Sequence, residues 1–134
     1  MEPIRTALLH EGLSDTVEVS VVLCDDPFIR NLNRAHRGMD KSTDVLSFAQ
    51  EDPVYLGDVV ISLETAARQA EHAGWPLGNE ISLLAVHGVL HLVGYDDHSV
   101  EEAVEMRDKA EAILRTCGIN PPLRNSHPFF IDYS

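Results

Sequence analysis

The feature that most constrains the fold is an apolar segment, residues 81–93, that carries two histidines, His87 and His91. A segment that is apolar on nearly every side is typical of a helix buried in a protein core. We predict that this helix begins after Asn79, a favourable N-cap residue, with Glu80 at the positive end of the helix dipole. At a spacing of four residues, the two imidazoles project from one face of the helix, one turn apart. The sequence therefore predicts a buried helix whose two histidines can bind one ion.

The residues that follow this helix can supply a third ligand. Gly94 allows the chain to leave the helix and turn back, and the turn can bring Asp97 or His98 to the two imidazoles. Three protein ligands with an open fourth position are typical of a catalytic zinc site. An isolated HxxxH pattern more often marks ordinary histidines, but a buried imidazole without a partner is costly. We therefore predict a site for one Zn²⁺ per chain, with His87 and His91 as ligands.

Gly88, directly after the first histidine, separates this pattern from that of the zinc proteases. The glycine and the polar residues that follow the second histidine have the spacing of the metzincin pattern HExxHxxGxxH. Such proteases need a glutamate directly after the first histidine, as the base that activates water. A metzincin-like metal site without this glutamate makes peptide hydrolysis an unfavourable interpretation.

The remaining patterns predict an α+β fold. Three runs are typical of strands: Val17–Cys24, which alternates and is rich in valine, Val45–Ala49 and Val54–Ile61. Helices are predicted for residues 27–36 after an Asp26 N-cap, for residues 63–73 between a Ser62 cap and Gly74, and after a capping box of Ser99 and Glu102. The last helix has Ala103, Met106, Ala110, Ile113, Leu114 and Cys117 on one face and Arg107 outward. We predict a single domain with a small mixed sheet of about three or four strands, packed with helices around the central buried helix.

The two ends of the chain carry weaker patterns. The pattern of residues 1–16 predicts only a short amphipathic turn that contains Ile4, Leu8 and Leu9. Residues 119–134 have no periodicity, and we predict a C-terminal tail that lies on the surface or is disordered. The single metallohydrolase domain is therefore predicted to span residues 1–118, because 134 residues are enough for one domain.

The composition predicts a cytoplasmic protein without a membrane segment. No apolar run reaches the roughly 20 residues that a membrane span needs, and the N-terminus lacks the features of a signal peptide. Only two cysteines occur, Cys24 and Cys117, and we interpret them as buried free thiols.

An excess of acidic residues gives the chain a formal net charge of −12. Contacts from lysine and arginine to phosphate usually dominate nucleic-acid affinity, so a chain this acidic should bind free nucleic acid weakly. The densest positive cluster consists of Arg30, Arg34, Arg37 and Lys41. By itself this cluster is more typical of a solvated helix face. Binding of nucleic acid would need a local basic patch or a partner that holds it.

Three stretches together resemble the YbeY family. They are residues 32–48 (LNRAHRGMDKSTDVLSF), residues 56–62 (LGDVVIS) and residues 87–96 (HGVLHLVGYD), and the resemblance extends from about Val17 to about Gly118. It implies a zinc-dependent endoribonuclease that cuts single-stranded ribosomal RNA, at the 3′ end of the small-subunit RNA, during ribosome maturation. The implied partners are RNA and the ribosome or its proteins. Two alternatives stay open: a zinc hydrolase of another ester or amide, and a non-catalytic ribosome-assembly factor with a structural metal.

The resemblance also implies roles for individual residues. The family carries a third histidine six residues after the second, and that position is Asp97 here, with His98 one residue later. We therefore favour Asp97 as the third ligand and keep His98 as the alternative. Asp58 and Asp96 are candidates to orient the histidine ligands by hydrogen bonds. The alternative is that each is an ordinary carboxylate at a strand edge or in a turn.

Arg37 matches the arginine that the resemblance implies is essential. Its planar guanidinium can hold a phosphate through two hydrogen bonds and stabilise charge that develops on it. The alternative interpretation is that Arg37 forms an ion pair with Asp40 or Asp44. No residue in the sequence is identified as a general base.

Overall fold

The computed structural model describes residues 1–14 and 16–130. In chain order these residues form α1 (Glu2–His10), β1 (Glu18–Cys24), α2 (Asp26–Arg37), β2 (Val45–Ala49), β3 (Tyr55–Ser62), α3 (Leu63–Ala73), α4 (Leu77–Leu92) and α5 (Val100–Thr116). The strands make one mixed sheet in the order β1–β3–β2, with β1 parallel and β2 antiparallel to β3. The predicted α+β fold is confirmed, with three strands among the described residues.

Helix α4 lies at the centre of the fold and packs against α1, α3, α5, β2 and β3. Its fully buried apolar side chains are Leu83, Leu84, Ala85, Val86, Val89 and Leu90. Because neighbours lie on nearly every side, the helix has no polar face, as the apolar pattern of the segment predicted. Each buried leucine or valine side chain contributes roughly 1.5–3 kcal/mol. Helix α4 therefore forms a large part of the core and gives the two histidines a rigid support.

Helix α2 covers the other face of the sheet, where Ile29 packs with Leu46 and Val60. Its N-cap is Asp25, whose Oδ1 accepts a hydrogen bond from the Phe28 backbone N–H at 2.9 Å. The prediction that Asp26 caps this helix is therefore wrong by one residue. Either of the two adjacent aspartates could cap the helix as judged from the sequence. In the fold the Asp26 carboxylate binds Ser62, Thr65 and Arg68 instead, so Asp25 is the residue that caps α2.

The start of α4 also differs from the prediction. The helix begins at Leu77, and the Pro76 carbonyl oxygen accepts hydrogen bonds from the backbone N–H groups of Asn79 and Glu80. Asn79 therefore lies inside the first turn and is not the N-cap. Glu80 is fully buried, so its carboxylate contacts other side chains in the core instead of only interacting with the helix dipole.

Two further expectations need correction. Residues 2–10 form a helix of nine residues with Ile4, Ala7 and Leu8 buried, where the sequence predicted only a short turn. Contacts of α1 with α4 and α5 supply the stabilisation that local propensity lacks. Arg107 is buried and not outward, because Asp108 and Glu111 lie beside its guanidinium.

The chain after α5 returns to the core. Within residues 119–130, His127 and Phe130 are almost completely buried, whereas the sequence predicted a surface or disordered tail. Residues 131–134 of that tail lie outside the described residues. The division into a domain of residues 1–118 and a tail of residues 119–134 stays a prediction.

No helix in the described ranges combines the length and the apolar character that a membrane crossing requires. Cys24 and Cys117 are free thiols, each only partly buried.

The Asp26→Asn variant is expected to lose more stability at pH 7 than at pH 2. Burial alone would raise the pKa of Asp26, but hydrogen bonds from Ser62, Thr65 and Arg68 lower it to about 2. A carboxyl group with a lowered pKa stabilises the fold above its unfolded pKa of about 4, and this contribution is lost as the pH falls from about 4 to about 2. Urea unfolding at pH 7 and at pH 2 measures the difference between variant and wild type. A difference that stays constant with pH would contradict the assignment.

Candidate metal centre

The ring of His91 is oriented by the turn that follows α4. Gly94 has a φ of 109°, a backbone conformation that favours glycine, and the turn brings the Tyr95 carbonyl oxygen to 3.0 Å from Nδ1 of His91. A carbonyl oxygen only accepts, so Nδ1 carries the proton and donates. The lone pair of the neutral ring is therefore on Nε2, as a metal ligand requires.

His87 lies one turn earlier on the same face of α4. Its Nε2 lies 3.0 Å from Nε2 of His91, and the two rings are stacked with centroids 4.8 Å apart. Two nitrogens on one tetrahedral zinc ion would be roughly 3.3 Å apart at Zn–N distances of about 2.0–2.1 Å. Burial, followed by the nearby His91, lowers the pKa of His87 to about 3. The His87 ring is therefore neutral at ordinary pH and suited to bind a cation.

Asp97 is the third residue of this group. The ligand atoms of His87, His91 and Asp97 all lie within 4.8 Å of one another. His98 lies outside that group: its Nε2 is 2.9 Å from Oδ2 of Asp96, and its side chain is 78% exposed. The turn thus brings Asp97, and not His98, to the two histidines. Two imidazoles and one carboxylate suit a zinc ion, and the buried Nδ1 of His87 has no hydrogen-bond partner among the described residues.

Gly88 faces the sheet. Its carbonyl oxygen accepts a hydrogen bond from the Ser47 hydroxyl at 2.9 Å, and a Cβ atom at this position would lie 2.5 Å from Cγ1 of Val59. A glutamate here would displace a strand side chain from the core. Close packing of α4 on the sheet therefore explains why this chain lacks the glutamate of the zinc proteases.

A cleft of about 600 Å³ connects the histidines with the end of α2. Its lining includes His36, Arg37, Thr43, Asp44, Ser47, Phe48, His87, His91, Asp96, Asp97 and His98. Arg37 is the last residue of α2, and Gly38 ends the helix in a left-handed conformation with a φ of 69°. The Asn33 side-chain amide donates to the Lys41 carbonyl oxygen at 3.0 Å and fixes the loop that follows. Arg37 is thereby held at the edge of the cleft.

The alternative ion pairs of Arg37 are not formed. Asp40 contacts Arg30 at 2.8 Å and Arg34 at 3.9 Å, and Asp44 accepts a hydrogen bond from its neighbour, the Val45 backbone N–H. In the described part of the chain, Arg37 has no carboxylate partner, whereas the charges of Arg30 and Arg34 are partly neutralised. Arg37 is therefore a cation available to an anion in the cleft.

The two remaining candidates lie in different places. Asp58 accepts hydrogen bonds from the Tyr55 hydroxyl and, at 3.5 Å, from the Gln50 amide. The structure does not bring Asp58 to either candidate histidine ligand. Asp96 lines the cleft and accepts a hydrogen bond from the Asp97 backbone N–H at 2.9 Å. It can orient the turn that carries Asp97. Among the described residues, neither His87 nor His91 forms a hydrogen bond with Asp96.

Sequence reasoning missed two residues near the centre. His36 lines the cleft beside Arg37, with its ring 5.0 Å from that of Phe48. Its position next to Arg37 was the only available signal. The Phe129 ring lies 4.5 Å from the His87 ring, and no local pattern could predict this contact between distant parts of the chain.

Comparisons with known proteins cover most of the chain. Residues 2–118 match the sequence model of the family described as Endoribonuclease YbeY. An Endoribonuclease YbeY from Desulforamulus reducens is 45% identical over 127 residues, which cover 87% of this chain and 83% of the relative. One from Pelotomaculum thermopropionicum is 50% identical over 119 residues, which cover 82% of this chain and 78% of the relative.

Two further comparisons extend this result. A protein of Arabidopsis thaliana named as a chloroplastic Endoribonuclease YBEY is 48% identical over 114 residues, 80% of this chain and 20% of that protein. The solution structure of a protein from Thermotoga maritima superimposes with a TM-score of 0.52 at 26% identity, covering 87% of this chain and 77% of that protein.

Proposed function

Because the chain belongs to the YbeY family of endoribonucleases, we propose that it is a zinc-dependent endoribonuclease that cuts single-stranded RNA. The family membership that the sequence resemblance predicted is confirmed, and it supports a nuclease that hydrolyses phosphodiester bonds. The zinc ion, the ribosomal substrate and the roles of single residues are our proposal.

One observation carries the proposal: a group of three candidate metal ligands shares a cleft with an arginine that has no carboxylate partner among the described residues. His87, His91 and Asp97 place their ligand atoms within 4.8 Å of one another, and Arg37 lines the same cleft. The group has three protein ligands among the described residues, the number typical of catalytic zinc sites, whereas structural sites usually have four. This arrangement favours catalysis over a structural metal.

The residues of the chain then have distinct roles. A bound zinc ion would polarise a phosphate oxygen or lower the pKa of a water molecule. His91, oriented by the Tyr95 carbonyl oxygen, and His87 would hold the ion, and Asp97 would complete the ligand set and reduce the positive charge by one unit. Arg37 would bind the scissile phosphate through its planar guanidinium and stabilise the negative charge that develops on it.

The negative net charge of the chain makes tight binding of free RNA unfavourable. With a formal charge of −12 and with Arg30 and Arg34 close to Asp40, the protein offers few free cations to a phosphate backbone. We propose that the substrate is ribosomal RNA, cut near the 3′ end of the small-subunit RNA, and that the ribosome or its proteins hold it in place. Such an enzyme would act in the cytoplasm.

Cleavage of a labelled single-stranded RNA by purified protein tests this proposal. Arg37→Ala is expected to lower the cleavage rate by at least about 100-fold, the usual loss when one group that stabilises a transition-state charge is removed. Arg37→Lys should restore only part of the rate, because an ammonium group cannot make two parallel hydrogen bonds. Arg115→Ala, at an exposed position of α5, is the matched control.

Removal of the metal is the second part of the test. Cleavage should stop on addition of a chelator and return with Zn²⁺, which distinguishes this activity from a metal-independent contaminating ribonuclease. Full cleavage by Arg37→Ala, or wild-type cleavage that survives chelation, would contradict the proposal.

A further inference from the structure

Residues 119–130 lie beyond the family match, which ends at residue 118, yet they return to helix α4. The Asn125 backbone N–H donates to the Phe130 carbonyl oxygen at 2.7 Å, and the Phe130 N–H donates to the His127 carbonyl oxygen at 3.1 Å. Asn125 has a φ of 67°, a left-handed conformation that asparagine tolerates. These contacts close residues 125–130 into a compact turn, which we call the C-terminal turn.

A buried contact anchors the C-terminal turn to α4. Nε2 of His127 lies 2.8 and 2.9 Å from the two carboxylate oxygens of Glu80, and both side chains are completely buried. The Phe129 backbone N–H donates to Nδ1 of His127 at 3.0 Å, so Nδ1 is the acceptor and Nε2 carries the proton. Glu80 also accepts a hydrogen bond from the Trp75 indole at 3.0 Å. The anchor is therefore an imidazole whose Nε2–H donates to a buried carboxylate.

The anchor and the metal centre are connected by one rigid helix. Glu80 and His87 are seven residues apart in α4, so they lie on the same face, about 10 Å from each other along the axis. Phe129 follows His127 by two residues, and its side chain reaches His87. Its ring lies 4.5 Å from that of His87 and is tilted by 37°.

His87 needs such a contact more than His91 does. The ring of His91 is fixed by the hydrogen bond from Nδ1 to Tyr95, whereas the buried Nδ1 of His87 has no hydrogen-bond partner among the described residues. The His87 ring instead contacts two other rings, those of His91 and Phe129. Nε2 of His87 lies 3.0 Å from Nε2 of His91, so it is the Nδ1 side of this imidazole that packing, and not a hydrogen bond, holds in place.

From these contacts we propose that the C-terminal turn is the positioning element of the metal centre. The contact of His127 with Glu80 fixes the turn on α4, and Phe129 holds the His87 imidazole in the orientation in which Nε2 faces the ion. This inference rests on the proposed function insofar as it takes His87 as a ligand. Phe129 is a positioning residue, because it acts on the ion only through His87.

The affinity for Zn²⁺, measured by competition with a chromophoric chelator, tests the inference. Phe129→Ala is expected to bind zinc about 10-fold more weakly, as is usual when an outer partner of a ligand is lost. Phe129→Tyr keeps an aromatic ring and should stay within about twofold of wild type. Leu123→Ala, in the same segment at a position that is 84% exposed, controls for general effects of mutation. Thermal melts of the metal-free proteins show whether each variant is folded.

A second readout does not depend on metal. In the metal-free protein, the ring protons of His87 should show a ring-current shift in the NMR spectrum of the wild type and of Phe129→Tyr. The shift should be smaller in Phe129→Ala, where only the stacked His91 ring remains beside His87. Zinc affinity that is unchanged in Phe129→Ala overturns the inference. If the wild type binds no zinc, the proposed function fails, and the ring-proton shifts alone decide whether Phe129 positions His87: equal shifts in wild type and Phe129→Ala overturn that claim.

Discussion

We expect the His91→Ala variant to bind zinc at least about 100-fold more weakly than the wild type and to lose RNA cleavage. Removing an outer partner of a metal ligand costs about 10- to 100-fold in affinity, and loss of the ligand itself should exceed this range. His91 is the best-oriented candidate ligand of the group, because its Nδ1 donates to the Tyr95 carbonyl oxygen and leaves the Nε2 lone pair on the side of His87. Competition titration with a chelator gives the affinity, and a single-stranded RNA gives the rate.

Histidine and carboxylate controls make this experiment specific. His72→Ala, at an exposed position of α3, should keep full zinc affinity and full cleavage. Asp97→Ala should weaken zinc binding, whereas His98→Ala should leave it nearly unchanged, because His98 pairs with Asp96 in solvent. Equal losses in the Asp97 and His98 variants would contradict our choice of third ligand. Wild-type affinity in His91→Ala would contradict the metal centre itself.

The elements of the fold could be predicted because their patterns are local. Helix α4 is apolar all round, since it contacts helices and strands on all sides, and the β2 strand was predicted at its observed bounds, Val45–Ala49. One error occurred where two neighbouring residues offered the same signal. Asp25 and Asp26 are equivalent as caps in the sequence, and only the contacts of Asp26 with α3 in the folded chain distinguish them.

Only the part of the candidate site that lies on α4 and in the turn after it could be predicted from local sequence patterns. A spacing of four residues places His87 and His91 on one face, and the glycine after α4 predicts a returning chain. The position of Arg37 beside the histidines came from the family resemblance, because the cleft joins α2 to α4 across the sheet edge. Asp58 faces Tyr55 and Gln50, which the alternation of its strand did not reveal.

The C-terminal turn was missed for a different reason. His127 and Glu80 are 47 residues apart, and nothing in the sequence around either residue indicates a partner. A segment rich in proline and without periodicity is typical of a surface tail. Buried pairs of this kind are specified by tertiary packing, so single-sequence patterns do not predict them.

Glu80→Ala is expected to lower the free energy of unfolding by about 3 kcal/mol. The carboxylate accepts hydrogen bonds from the Trp75 indole and the His127 imidazole, and its removal leaves both donors without their acceptor. Each buried polar group that loses its partner costs about 1–3 kcal/mol. For a chain of this length the melting temperature should fall by roughly 10 °C. Urea and thermal unfolding, followed by circular dichroism, measure both quantities.

Two further variants separate lost hydrogen bonds from lost volume. Glu80→Gln keeps the size of the side chain and one acceptor oxygen, so it should destabilise the fold less than Glu80→Ala. Replacing both partners, as in Glu80→Leu with His127→Leu, removes the imidazole donor together with its acceptor, so neither is left buried without the other. The Trp75 indole loses its acceptor in Glu80→Leu and in the double variant alike. The double variant should therefore be more stable than the sum of the two single losses by about 0.5–3 kcal/mol, the range found for residues in direct contact. Purely additive losses would show that the contact between α4 and the C-terminal turn does not couple them energetically.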